Sequence, residues 1–158
     1  MSELVVVDTT VWSNFAVARH PRLVVEVYPQ GKSPRAVLNE LEEGRRLGYF
    51  PEVDLAWIPE VALDQKERGQ ARALAKALGR GEAECLAVAY NRQVGLLTDD
   101  RPARVHAQAL GITPSGTLGV LLRVVSLGRL SVEEADELLA QMIQARFRSP
   151  VSSLRELL

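Results

Sequence analysis

Leu4 to Val7 form an unbroken apolar, β-branched run that stops at Asp8. Such a run, apolar on both faces, predicts a buried parallel strand. Val11 to Val17 follow with Trp12, Phe15 and Ala16 at helical spacing. Leu23 to Tyr28 fits either a strand, from its valines, or a short helix. Ser33-Pro34 predicts a helix start, with serine as cap and proline at the first helical position. Val37, Leu38 and Leu41 give that helix one apolar face, and Gly44 or Gly48 can end it. Leu55 to Ile58 is expected to be another strand, closed by Pro59. Asp64 is expected to cap a long helix through Leu78, and Gly79-Arg80-Gly81 to break it before a helix from Glu82 to Asn91.

Val94 to Thr98 is the second clear buried strand, and it too runs into acid, Asp99 and Asp100. Pro102 to Leu110 reads as helical, followed by Gly111 and a short strand around Ile112. Thr117 to Leu127 and Val132 to Ala145 are amphipathic helices; Ser131 with Glu134 three residues on makes a capping box for the second. No repeat or low-complexity linker interrupts the chain, so one domain over residues 1–158 is expected. Strands alternating with helices predict an α/β fold, with a mostly parallel sheet between helical layers. The C-terminal ends of parallel strands share one edge, where open α/β sheets bind ligands.

Composition narrows the function. The 158 residues carry a net charge of −1, so no global basic surface announces a nucleic-acid partner. Arginine greatly outnumbers lysine, which suits bidentate phosphate contacts and equally a compositional bias. No apolar run approaches the ~20 residues of a membrane span. The start, MSELVVVD, lacks a basic leader, so a cytoplasmic protein away from membranes is expected. Cys85 is the only cysteine, which excludes an intrachain disulfide and a cysteine-held zinc, and its apolar neighbours predict a buried, inert thiol.

Candidate chemistry then falls on carboxylates. Asp8, Asp99 and Asp100 each follow a strand, where an aspartate can also serve as a helix cap. Glu40 shares the inner face of its helix with Val37, whereas Glu42 and Glu43 can point to solvent. Glu82 stands in a first helical turn, bordering the face of Cys85 and Leu86; the helix dipole favours acids there, an alternative role for Glu82 and the better account of Glu84. Like charges crowded at one edge repel and raise one another's pKa unless a cation lies between them. An all-oxygen set suits Mg²⁺ or Mn²⁺, which can activate water for phosphodiester attack. His20 and His106 stand apart from the acids, and a structural role is expected for His106.

The chain resembles the PIN-domain family, in particular its small prokaryotic branch of VapC-like toxin ribonucleases and related nucleic-acid-binding proteins. The likeness rests on Val-Val-Val-Asp8-Thr9-Thr10, Pro34-Arg-Ala-Val37-Leu-Asn-Glu40-Leu, Gly81-Glu82-Ala-Glu-Cys-Leu-Ala and Leu97-Thr98-Asp99-Asp100. Arg101-x-x-Arg104 followed by Ser115-Gly116-Thr117-Leu-Gly adds to it. The resemblance implies a three-layer α/β/α sandwich and metal-dependent cleavage of RNA by Asp8, Glu40, Glu82 and Asp100 or Asp99. It implies an antitoxin partner and a homodimer, for which the last two amphipathic helices offer apolar surface. Two features depart from the pattern. The third acid is commonly aspartate but here is Glu82, and of the two adjacent aspartates the family's Thr-x-Asp spacing favours Asp100, while strand geometry leaves Asp99 open.

Thr9, Thr10 and Thr98 can hydrogen-bond a carboxylate or cap a turn, and Arg101 and Arg104 can hold RNA phosphate or pair with the neighbouring acids. Lys32, Arg35, Arg45 and Arg46 can form a basic rim or a solvated helix face. Aromatic residues are few, so no base-stacking platform is evident. A dehalogenase-like phosphotransferase would need a second aspartate where Thr10 stands, and a receiver domain would need a late-strand lysine, yet none follows Lys76. The remaining alternative is a catalytically silent PIN-like module that binds RNA or a protein.

Overall fold

A computed structural model describes residues 3–158. Its sheet consists of β1 (Val5–Val7), β2 (Gly31–Lys32) and β3 (Gly95–Leu97), in the order β2-β1-β3 and parallel throughout. Single bridges, Ser33 to Glu60 and Leu97 to Ser115, widen it at both sides. β1 is central, and the side chains of Val6 and Val7 are fully buried, as its apolar run requires.

Two helical layers cover the sheet. One contains α3 (Arg35–Arg46), α4 (Gln65–Leu74), α5 (Arg80–Arg92) and α6 (Arg101–Ala109), with α5 lying on β1 and β3. The other contains α1 (Thr9–Val17), α2 (Arg22–Val27), α7 (Thr117–Ser126) and α8 (Val132–Gln144), closed by a 3₁₀ turn at Leu154–Leu157. The α/β/α sandwich follows from amphipathic helices burying one face each: Val120, Leu121 and Val124 of α7, and Leu138, Leu139 and Met142 of α8, lie in the core. The apolar faces on which pairing of two chains was expected are thus largely covered within one chain.

The ambiguous Leu23–Tyr28 segment is helical, as α2. Three local expectations need correction. Leu55–Ile58 is a turn rather than a strand. Asp54 draws the chain back on itself, accepting from the Ala56 N–H at 3.0 Å through its side chain and from Trp57 Nε1 at 2.7 Å through its carbonyl. No strand forms at Ile112 either. Gly111 turns the backbone at φ +78°, and the chain meets the sheet later, where the Thr98 N–H donates to the Ser115 carbonyl at 2.8 Å. Ser33, finally, does not cap α3. Pro34 occupies the cap, and the buried Ser33 hydroxyl donates to the Val7 carbonyl at 2.6 Å while accepting from Trp12 Nε1 at 2.8 Å. A serine inside the core is better satisfied by that network than by one exposed cap bond.

The capping signals are realised: Ser131 and Glu134 form their capping box, and Asp64 caps α4 in a box with Glu67. α4 ends at Leu74, short of the expected Leu78, and α5 begins at Arg80 rather than Glu82. Gly48, at φ +75°, ends α3, whereas Gly44 packs under Phe50. Among the described residues no helix is long and apolar enough to cross a membrane.

Candidate active site

β1 and β3 deliver their acids to the same sheet edge because they run parallel in register, Val7 beside Leu97. Asp8 is fully buried there. One carboxylate oxygen accepts from the Thr9 N–H at 2.7 Å, the other from Thr98 Oγ1 at 2.7 Å. Burial nevertheless raises its pKa from 3.8 to about 7, with the charges of Glu82 and Glu40 pushing the same way. Thr98, itself buried, also accepts from the Asp100 N–H at 3.1 Å, so one hydroxyl joins the two strand ends.

Helices α3 and α5 bring in the glutamates. Glu40 is half-buried and accepts from Thr9 Oγ1 at 2.5 Å. A methyl group on Gly81 would collide with the Glu40 carboxylate, and one on Gly79 with that of Glu82. Gly79 precedes α5 as its N-cap, whereas Gly81, expected to break the helix, lies within its first turn; both make room for the acids. Glu82 has its pKa raised, first by burial and then by the charges of Glu40 and Asp100, against a lowering backbone hydrogen bond of its own. Its Oε2 is buried without a hydrogen-bond partner. Glu84 instead accepts from the Ala36 N–H at 3.1 Å, which caps α3 where Pro34 offers no side-chain bond.

The adjacent aspartates differ. Asp100 caps α6, one oxygen accepting from the Ala103 N–H at 2.9 Å. Asp99 turns toward α7. It accepts from the Thr117 N–H at 2.9 Å, from Thr117 Oγ1 at 2.5 Å and from Asn14 Nδ2 at 3.2 Å. Burial raises its pKa, and these bonds together with the Arg104 charge oppose the rise. Asn14 and Thr117 were not singled out as partners from the sequence. The usable signal was a polar Asn14 between the buried Trp12 and Phe15, and Thr117 at the start of a helix. Thr10 Oγ1 accepts from the Asp99 N–H at 2.9 Å.

Asp8, Glu40, Glu82 and Asp100 are thus electrostatic neighbours, and Asp99 sits beside them in a network of its own. They do not form a finished metal cage: among the described residues, no three His, Cys, Asp or Glu side chains make a group that could hold a metal ion as placed. The ready-made metal-sized pocket expected from the sequence is therefore not present. Each carboxylate instead has local donors: Thr9 and Thr98 for Asp8, Thr9 for Glu40 and Ala103 for Asp100.

The arginines also separate. Arg104 donates to the Thr98 carbonyl at 2.8 Å, while Arg101 is exposed beside Asp100. Arg35, Arg45 and Arg46 are paired with Glu60, Glu42 and Glu43, as on a solvated helix face. A cavity of about 790 Å³ between α3 and the 52–60 segment is lined by Arg35 and Arg45 with their partners Glu60 and Glu42, and by none of Asp8, Glu40, Glu82, Asp99 and Asp100, so it lies apart from the acid cluster.

A family model described as a PIN domain matches residues 4–158. The chain belongs to the PIN-domain family. Searches among curated proteins and among solved structures return no match. PIN domains are usually nucleases and generally use divalent metal ions, which makes nuclease-type chemistry the general expectation for this PIN domain. The donor chemistry fits such an ion. Every acid here offers hard oxygen ligands, and the buried Glu82 Oε2 lacks the partner that a buried carboxylate oxygen needs.

Proposed function

We propose that this PIN domain is a metal-dependent ribonuclease that hydrolyses RNA phosphodiester bonds at the β1–β3 edge. The observation that carries the reading is the orphaned Glu82 Oε2 among acids whose burial and neighbouring charges raise the pKa of Asp8 and of Glu82. Asp8, Glu40, Glu82 and Asp100 would hold Mg²⁺ or Mn²⁺, with Asp99 as a neighbour that orders the edge. The ion would supply an activated water and shield the charge that develops on the phosphate. Thr98 fixes the Asp8 carboxylate and Thr9 the Glu40 carboxylate, so both acids are oriented before substrate arrives. Arg101, exposed next to Asp100, is placed to meet an RNA phosphate.

The finer assignment belongs to the same proposal. As a VapC-like chain it would act as the toxin of a toxin–antitoxin pair, with an antitoxin protein and a second copy of itself as partners, in the cytoplasm. Exposed Tyr49, Val105 and Leu127 offer apolar surface for such contacts.

The deciding experiment incubates purified protein with labelled RNA in Mn²⁺, Mg²⁺ or EDTA. Cleavage is expected with either metal and none in EDTA. Because a metal bound only by the folded chain stabilises it, millimolar Mn²⁺ is also expected to raise the melting temperature of the parent. RNA binding without cleavage in any metal would identify the silent module instead, and cleavage that survives EDTA would remove the metal from the mechanism.

A further inference from the structure

Beside Asp99 lies a cavity of about 310 Å³. Its walls come from Arg104 of α6, from the turn Pro114–Gly119 that starts α7, and from Phe147, Arg148 and Pro150 after α8. Arg146 adopts a left-handed backbone, φ +82°, which a non-glycine residue adopts only at a cost, and it turns the chain so that the next two side chains line this cavity.

The chemistry of the lining is unlike that of the acid cluster. Two arginines, Arg104 and Arg148, line the cavity together with one carboxylate. That carboxylate, on Asp99, already accepts from Thr117 and Asn14 and lies in the field of Arg104. Arg104 is oriented by its bonds to the Thr98 carbonyl at 2.8 Å and the Pro114 carbonyl at 3.5 Å, which leave further N–H groups of its fork unoccupied. Arg148 is exposed and takes part in none of the ion pairs among the described residues. Phe147 is half-buried against the core, so its ring is held while part of it reaches the cavity. Arginine forks match phosphate, and an aromatic face stacks on any base. The volume is at the small end of ligand sites and suits one nucleotide rather than a peptide segment.

We propose that this cavity is a nucleotide subsite. It takes the RNA residue next to the cleaved bond, with its base against Phe147 and its phosphate on Arg148 and Arg104. The inference rests on the RNA-cleaving reading above and gives that site a directional neighbour, contributed by the segment after α8. Phe147 is far from Asp99 in the chain but lines the same cavity in the fold.

The test measures binding of a fluorescent single-stranded oligoribonucleotide to the full chain in EDTA, so that affinity is read without cleavage. Phe147→Leu and Arg148→Ala are expected to weaken binding about tenfold each. Arg148→Ala should also flatten the salt dependence of log affinity by about 0.7, the share of one phosphate contact on a single strand, whereas Phe147→Leu should leave that slope unchanged. Arg72→Ala on the exposed side of α4 is the control and should bind as the parent does. Arg148 is exposed, so its variant decides the matter even if Phe147→Leu proves unstable. Parental affinity and slope in Arg148→Ala overturn the subsite, whatever the parent cleaves. Weakened binding in a protein that cleaves nothing keeps the subsite and overturns the nuclease.

Discussion

Asp8→Asn is expected to reduce metal-dependent RNA cleavage by about a hundredfold or more while making the metal-free protein more stable at neutral pH. Both effects follow from one carboxylate. Asp8 is fully buried, and burial together with Glu82 and Glu40 lifts its pKa from 3.8 to about 7. The folded state therefore binds the Asp8 proton more tightly than the unfolded state does, so this group makes stability fall as pH rises. The loss begins near the unfolded value of 3.8, grows up to about 7, and is constant above that. Asparagine keeps the shape and removes the charge. Thermal melts in EDTA should show parent and variant close together near pH 4, and the variant melting several degrees higher at pH 8. A variant that melts lower at pH 8 would mean that the bonds to Thr9 and Thr98 outweigh the buried charge. A variant that cleaves at the parental rate would remove Asp8 from the metal site.

The sequence discloses the fold wherever periodicity and burial agree. Val5–Val7 and Gly95–Leu97 are legible because a strand buried on both faces has to be apolar at every position, and the acids that follow them share an edge because the strands are parallel. Leu55–Ile58 misleads for a physical reason. Its residues satisfy the apolar pattern of a strand, but a side chain outside the pattern, Asp54, offers the backbone a competing turn. Glu40 and Glu82 are readable from helical spacing. What the spacing does not carry is the third dimension: which hydroxyl meets which acid. Thr9 reaches Glu40 across 31 positions, and Asn14 reaches Asp99 across 85. Nor does it show that Gly79, the cap of α5, and Gly81, inside its first turn, leave space for carboxylates.

The same limit left Asp99 and Asp100 undivided in the sequence, and their surroundings now predict opposite phenotypes. Asp100 lies in the field of Glu82 and uses one oxygen to cap α6. Asparagine caps a helix about as well as aspartate, so Asp100→Asn should melt within a degree or two of the parent. It would nonetheless lose a hard anionic ligand beside Glu82, and cleavage should fall about a hundredfold or more. Asp99 has the reverse balance. Its two oxygens face three donors, the Thr117 N–H, Thr117 Oγ1 and Asn14 Nδ2. An asparagine there must turn its own NH₂ toward one of them, leaving a half-buried polar group poorly matched. That mismatch should cost about 1–3 kcal/mol of stability. The lost clamp loosens the junction of α1, β3 and α7 without removing a primary ligand, so activity measured well below the melting temperature should fall less than in Asp100→Asn. Parallel melts and Mn²⁺-dependent cleavage assays on the two variants separate the roles. A stable but inactive Asp99→Asn beside an active Asp100→Asn would transfer the ligand role to Asp99 and leave Asp100 as a helix cap.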